Sequence, residues 1–167
     1  TMKEEKMRLS RIARTALGFA AVLVATGAKA ADEIQIATGN AGGLYFAAGE
    51  AICRALAQDP GTAAVPCRAV TSRGSMSNVL DLNAKTMPFA IVQTDIQYNA
   101  VAGLGLFETI GPDRDLRAVL SLHAEAFTVV VRADAKAATF NDLRGARLSA
   151  GRIGTGTRET AEALFEV

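Results

Sequence analysis

The chain alternates between short segments with the period of a β-strand and longer segments with the period of an α-helix. Residues 33–38, 65–71 and 89–94 alternate or are continuously apolar over the length of a strand. After the first of them, apolar residues recur at helical spacing from Leu44 until Pro60 interrupts the pattern. Strands that alternate with helices predict a mostly parallel sheet in an α/β layer fold.

Caps and further apolar runs extend this prediction. Ser75 is predicted as the N-cap of a helix that runs to about Asn83, and Asp95 as the cap of the next helix. The strand at 89–94 is almost wholly apolar, so we expect it to be buried on both faces. Further strands are predicted at residues 117–122, 127–131 and 147–150, and a last helix from Thr157.

The first 30 residues have the three-part layout of a secretory signal peptide. A basic lead precedes an uncharged, largely apolar run at 15–28, and Ala28-Lys29-Ala30 matches the A-x-A cleavage pattern. As a helix, that run spans only ~20 Å, short of the ~30 Å hydrocarbon core of a bilayer. Cleavage near Ala30 and a periplasmic location are therefore predicted, against the alternative of an uncleaved N-terminal anchor.

The charge that remains after residue 30 excludes a general affinity for nucleic acid. The leader holds 6 of the 18 basic and 2 of the 17 acidic residues, which leaves 12 against 15 and a net charge of −3. No basic cluster remains to attract phosphates, so no nucleic-acid partner is predicted.

Two cysteines, Cys53 and Cys67, are predicted to form a disulfide, because an exported protein meets an oxidising environment. The bond would join the first helix to the second strand. Two buried free thiols are the alternative. A metal site is not predicted, because two cysteines and the single histidine, His123, do not have the usual ligand spacing.

Three strand-to-helix loops are rich in Gly, Ser and Thr, at residues 39–43, 72–75 and 151–157. Such loops lie at the carboxyl ends of parallel strands, and each opens a helix whose free N–H groups and dipole favour an anion. Three of them at one cleft could hold a carboxylate without a basic side chain. The alternative is that they are tight turns with good caps.

Gln93, Asp95 and Tyr98 follow the most apolar strand and are expected at the same cleft, where Asp95 suits an ammonium group. The alternative makes Asp95 a helix cap and Tyr98 partly core. Catalysis is not predicted, because no G-x-S-x-G elbow is present and His123 belongs to an apolar strand pattern. The glycines do not fit a nucleotide-binding fingerprint, and no cofactor is predicted.

The loop residues also occur in an order that resembles a known family, the TAXI solute-binding proteins of TRAP-type transporters. The matching motifs span nearly all of the chain after residue 30: Ala37-Thr38-Gly39, Gly42-Gly43-Leu44-Tyr45, Thr71-Ser72-Arg73-Gly74-Ser75 with Asn78, Gln93-Thr94-Asp95, Gly103-Leu104-Gly105, Asp142-Leu143-Arg144-Gly145 and Gly154-Thr155-Gly156-Thr157.

This resemblance implies a type II periplasmic-binding-protein fold, whose two lobes close around a small organic anion or an amino acid such as glutamate. It implies a membrane TRAP permease as partner. Carried over position by position, the implied ligand-binding residues are Gly43, Tyr45, Ser75, Asn78, Gln93, Asp95, Tyr98, Thr155, Gly156 and Thr157.

The chain departs from the family pattern in two respects. Arg73 stands where family members often have glycine, and family members are about twice as long. The chain stops inside a helix pattern, which we interpret as a truncated second lobe. We therefore divide it into a signal peptide at 1–30, a first lobe at 31–125, and a hinge strand with the start of a second lobe at 126–167. A periplasmic sensor domain of a receptor and an enzyme on this fold are the alternative functions.

Overall fold

A computed structural model describes residues 33–165, so the predicted signal peptide lies outside the described residues. Its centre is a parallel three-stranded sheet of order β2-β1-β3, with β1 at Ile34–Ala37, β2 at Cys67–Val70 and β3 at Phe89–Ala90. The register pairs Ile34 with Cys67 and Ile36 with Phe89. The predicted α/β class with a parallel sheet is confirmed.

Four α-helices follow the strands and loops. They are α1 at Leu44–Gln58, α2 at Ser75–Asn83, α3 at Thr94–Ala102 and α4 at Gly156–Phe165, and 3-10 turns occur at Gly105–Phe107 and Phe140–Leu143. The chain passes from β1 to β2 on one side and then back across β1 to β3. Right-handed crossovers in these opposite directions place α1 and α2 on opposite faces of the sheet.

The helix ends follow local chemistry. At the end of α1, the Asp59 carboxylate accepts the backbone N–H of Gly61 at 2.7 Å. The αL residue Gly103, with φ 69°, ends α3, and a side chain there would strike the backbone of Pro112. The prediction of Ser75 as an N-cap was wrong. Gly74 occupies that position with φ 115°, and Ser75 is the first helical residue. The buried Ser75 hydroxyl accepts the backbone N–H of Gln93 and does not cap the helix.

A small apolar core fills the space between α2 and α3. Its fully buried members are Val79, Ile96, Ala100 and Phe107, and Leu116 packs against it. This core holds the first turns of both helices beside the carboxyl ends of the strands. It therefore positions the loops that follow β2 and β3.

The cysteine prediction is confirmed. Cys53 of α1 and Cys67 of β2 form a disulfide with their Cα atoms 5.2 Å apart. Next to this bond, α1 lies so close to the sheet that a Cβ on Gly49 would meet the Thr38 methyl group at 2.8 Å. The bond and the close approach together fix α1 against β1 and β2.

Several strand predictions were wrong. β3 is only two residues long and Phe89 is 42% exposed, so this strand is not buried on both faces. Within the described range, no strand is assigned at residues 117–122, 127–131 or 147–150. The apolar pattern is present there, but a strand also needs a neighbouring backbone, and no other described segment pairs with these residues.

Candidate ligand-binding site

The three small-residue loops meet at the carboxyl edge of the sheet. Ser72 links the second loop to the first, because its N–H donates to the Gly39 carbonyl and its Oγ to the Thr38 carbonyl, both at 3.0 Å. The N–H of Met76, in the first turn of α2, donates to the Gly154 carbonyl of the third loop at 3.2 Å. The amino ends of α2 and α4 are therefore in direct contact.

An arginine joins the first and third loops. The Arg152 guanidinium donates through Nη2 to Asn40 Oδ1 at 2.8 Å. Arg73, the residue that departs from the family pattern, is exposed in the second loop. Two basic side chains thus belong to the loops on which anion binding was predicted.

Gly43 and Tyr45 lie at the start of α1, as predicted. Gly43 is the N-cap, and its N–H donates to the Asn40 carbonyl at 2.9 Å. The Tyr45 hydroxyl donates to Glu125 Oε2 at 3.2 Å, and its ring packs edge-on against His123. His123 Nε2 lies 3.3 Å from Glu125 Oε1, so the three side chains form one group.

Tyr45 should titrate late. Its partial burial and then the negative charge of Glu125 raise the pKa of Tyr45 to about 12. In a Tyr98→Phe variant, which leaves Tyr45 as the only tyrosine, we expect the 295 nm absorbance to rise with a midpoint near pH 12. Adding Glu125→Gln should move that midpoint toward 10. A midpoint near 10 before that change would contradict the placement of Tyr45.

The sign of the linked stability effect follows from the same shift. Because the folded state holds the Tyr45 proton more tightly than the unfolded chain, this group stabilises the fold fully below pH 10. That contribution is lost as the pH rises from 10 to about 12.

Ser75 and Asn78 connect α2 to the strands. Ser75 Oγ accepts the backbone N–H of Gln93 at 3.1 Å. Asn78 is fully buried, and its Nδ2 donates at 2.7 Å to both the Thr38 and the Ile91 carbonyls. Its Oδ1 has no hydrogen-bond partner among the described residues. Both residues therefore hold the loops that follow β1 and β3.

Gln93 and Asp95 form a network with α4. Gln93 Nε2 donates to Asp95 Oδ2 at 2.8 Å and to Thr160 Oγ1 at 2.7 Å, and lies 3.4 Å from the Gly156 carbonyl. Thr160 Oγ1 also donates to Asp95 Oδ2 at 3.1 Å. The other oxygen, Asp95 Oδ1, accepts the Ile96 N–H at 2.7 Å. Gln93 and Asp95, two predicted ligand-binding residues of the predicted first lobe, are therefore hydrogen-bonded to Thr160 in the predicted second lobe.

The third loop contacts the first loop through Arg152 and the start of α2 through Gly154. Thr155 packs against Gly74, while its Oγ1 donates to the Arg152 carbonyl at 2.7 Å. Gly156 is buried, and a side chain there would collide with Gln93. Thr157 lines the same cavity as Gln93 and Asp95.

Tyr98 is not brought into this group. Its side chain is 64% exposed on α3 and does not line the cavity. The alternative in which Tyr98 is partly core is wrong for the same reason. Helical periodicity placed it one turn after Asp95, but the direction of α3 turns that position toward solvent.

Thr160 and Glu125 are site residues that the sequence analysis missed. Thr160 lies one turn beyond Gly156 and Thr157, so helical spacing along the last helix could have indicated it. Glu125 follows a predicted strand by three residues, and nothing in the sequence connects it to Tyr45, 80 positions away.

The network of Gln93, Asp95 and Thr160 opens into a cavity of about 1470 Å³. This cavity extends along the sheet toward β3 and residues 116–128. The carboxylates of Asp95 and Glu125 line the cavity where it meets this network, and they make that part of it negative. Burial and then the negative charges of Glu162 and Asp95 raise the pKa of Glu159. An ammonium group placed beside Asp95 would be favoured by this charge.

The described part of the chain contains no set of three or more His, Cys, Asp or Glu side chains grouped as metal ligands. None of its helices combines the length and apolar character needed to span a bilayer.

One comparison with known proteins bears on this site. A family model described as the NMT1-like family matches residues 36–167, which is 132 of the 167 residues. That family belongs to the periplasmic solute-binding superfamily, and its members are binding proteins. The matched range contains all three loops and the network that joins them.

Proposed function

Because the chain belongs to the NMT1-like family of binding proteins, we propose that it captures an amino acid or small carboxylate outside the cytoplasmic membrane. The observation that carries this proposal is the contact between the amino ends of α2 and α4 beside Asp95. Helix amino ends suit a carboxylate, and a carboxylate side chain suits an ammonium group. A glutamate-like ligand carries both groups.

The two helix ends suggest how a ligand would enter. In this structure the Gly154 carbonyl accepts the hydrogen bond of the Met76 N–H. Separating residues 72–75 from residues 151–157 would free that donor for a ligand carboxylate. A hinge opening between the predicted lobes, at 31–125 and 126–167, is one motion that would do this.

Asp95 retains capacity for a ligand. A carboxylate has about four acceptor positions, and three are used by Ile96, Gln93 and Thr160. The fourth is available to the ammonium group of an amino acid. In this proposal Gln93 and Thr160 orient Asp95, while Tyr45, Ser75 and Thr157 border the space beside it.

The resemblance to the TAXI proteins supports a more specific role. In that role the chain delivers its solute to a TRAP-type permease, and a cleaved signal peptide at residues 1–30 directs it to the periplasm. The disulfide agrees with an oxidising compartment.

A ligand screen with two variants tests the proposal. Glutamate, aspartate and succinate should raise the thermal midpoint of the full chain, since a hundredfold excess over Kd stabilises a protein by ~2.7 kcal/mol. Asp95→Asn should weaken glutamate binding by about 10- to 100-fold, the equivalent of one charge-assisted hydrogen bond. Succinate, which has no ammonium group, should be affected much less.

Glu108→Gln is the matched control, because it removes an exposed carboxylate outside the three loops. It should bind every ligand as the parent chain does. The proposal would be abandoned if none of these ligands changed the midpoint, or if Asp95→Asn and Glu108→Gln bound glutamate equally well.

A further inference from the structure

A second cavity, of about 280 Å³, lies against the disulfide and is separate from the ligand-binding site. Cys53 and Cys67 form part of its wall, together with Phe46 of α1 and Ala69 of β2. None of its lining residues also lines the larger cavity. Pockets for small ligands begin at ~300 Å³, so the size of this disulfide pocket suits a small molecule.

The two cysteines in the wall of the disulfide pocket are half-buried and not enclosed. Cys67 is the first residue of β2, which is an outer strand of the described sheet, and Cys53 belongs to the helix that packs on it. A disulfide is exchanged only when a reagent can approach one of its sulfurs. A pocket against both cysteines gives a small reagent that access.

Each of the two cysteines is followed directly by an arginine. Arg54 and Arg68 are exposed, and both line the disulfide pocket. Arg68 Nε donates to Glu33 Oε2 at 2.8 Å, whereas Arg54 has no hydrogen-bond or ion-pair partner for its side chain within residues 33–165. Glu50, one turn before Arg54 on α1, is the only carboxylate among the described residues of the lining. The pocket therefore presents two guanidinium groups and one carboxylate around an S–S bond.

These charges favour thiol chemistry at the disulfide. Exchange begins when a thiolate attacks one sulfur, and it is faster when the leaving sulfur forms the more stable thiolate. A neighbouring arginine stabilises a thiolate, and each cysteine has one directly after it in the pocket wall. Arginines also attract a negatively charged reagent from solution. A thiol that carries carboxylates is therefore favoured both in reaching the pocket and in reacting there.

We propose that the disulfide pocket is a site of reversible thiolation by a small zwitterionic thiol with two carboxylates and one ammonium group. The carboxylates bind Arg54 and Arg68, and the ammonium group binds Glu50. Thiolation opens the bond that joins α1 to β2. This site is independent of the proposed solute-binding function, which does not use the disulfide.

The exchange is balanced by the reagent alone. Its thiolate attacks one cysteine sulfur, the S–S bond breaks, a mixed disulfide forms, and the other cysteine leaves as a thiolate. A second reagent thiolate then releases the first as the symmetrical disulfide of the reagent. The protein disulfide gains two electrons and two reagent thiols lose them. The protons that these thiols release convert the cysteine thiolates to thiols, and the reverse steps restore the bond.

Rates of thiol exchange on the oxidised full chain test this site. The probes are reduced glutathione, which has the proposed charges, and cysteamine, which is a cationic thiol. Rates are measured by acid quenching and intact-mass spectrometry. Each is divided by the rate on 2-hydroxyethyl disulfide, which removes the difference in intrinsic nucleophilicity. Glutathione should then react about tenfold faster than cysteamine. In ~1 M NaCl, where the Debye length is ~3 Å, the difference should disappear.

Two arginine variants of equal net charge separate the pocket from the overall field of the protein. Arg54→Gln should slow glutathione about threefold, the effect of one exposed ion pair, and should not slow cysteamine. Arg114→Gln is the matched control, because Arg114 is exposed and outside the pocket lining, and it should react as the parent does. In Glu50→Gln, glutathione should lose its advantage over N-acetylglutathione, which has no ammonium group.

Other outcomes would overturn the proposal. Equal normalised rates for glutathione and cysteamine would show a disulfide that is exposed but has no site for the reagent. Equal glutathione rates for Arg54→Gln and Arg114→Gln would remove the arginine contact, and an unchanged advantage in Glu50→Gln would remove the ammonium contact. Exchange with reduced thioredoxin but not with glutathione would replace the small thiol by a protein reductant.

Discussion

Replacing both Cys53 and Cys67 by serine should lower the free energy of unfolding by about 3 kcal/mol. The disulfide closes a loop of 15 residues, across a sequence separation of 14. In the chain-entropy model, a loop of this size restricts the unfolded ensemble by about that amount. The loss is large beside the 5–15 kcal/mol that is typical of whole domains.

The position of the bond explains why its loss should be felt in the sheet. Cys67 is the first residue of β2 and pairs with Ile34 of β1, while Cys53 lies in the middle of α1. Without the bond, α1 is held to β2 by packing alone, through contacts such as that of Gly49 with Ala69. The effect should therefore appear as a loss of global stability and not as local fraying.

Urea unfolding with and without dithiothreitol measures this effect. The parent chain should lose stability when the reductant is added, and the double serine variant should be indifferent to it. A difference below about 1 kcal/mol between the oxidised parent and the variant would contradict the prediction, as would a variant that still responds to dithiothreitol.

Replacing Asn78 with alanine should also destabilise the chain, by about 3–5 kcal/mol. The variant loses two buried hydrogen bonds, each worth about 1 kcal/mol, and leaves a buried carbonyl without a partner at a further 1–3 kcal/mol. That carbonyl is Ile91, because the Thr38 carbonyl keeps the Ser72 hydroxyl as a donor.

This result would separate two roles for Asn78. The resemblance implied a ligand contact, whereas the structure shows an amide that connects the loops after β1 and β3. If ligand binding were its main role, the alanine variant would lose affinity and keep its urea midpoint. The expected outcome is a lower urea midpoint for the alanine variant.

Asn83→Ala supplies the matched control for this prediction. Asn83 lies on the same helix, but it is exposed and its Nδ2 donates to Asp113 at the surface, at 3.0 Å. Surface substitutions of this kind usually change stability by less than about 0.5 kcal/mol. Equal losses for the two variants would show that helix propensity, and not the buried amide, sets the effect.

Local sequence patterns were enough to predict the elements that satisfy their own backbone hydrogen bonds. The helices at Leu44–Gln58 and Ser75–Asn83 were predicted close to their observed bounds, because helical hydrogen bonds are local and apolar spacing marks the buried face. The disulfide was also predicted, since the chain has two cysteines and the sequence pattern of an exported protein.

The pairings between distant segments became visible only in the folded chain. Residues 117–122 and 127–131 have apolar runs of strand length, yet the structure leaves them without a strand partner in the described range. Likewise, Gln93 and Asp95 were predicted from sequence, but their bonds to Thr160 depend on where α4 lies. The physical reason is the same in both cases. A strand ladder or a network between elements is completed by groups far away in the chain, and no local pattern specifies them.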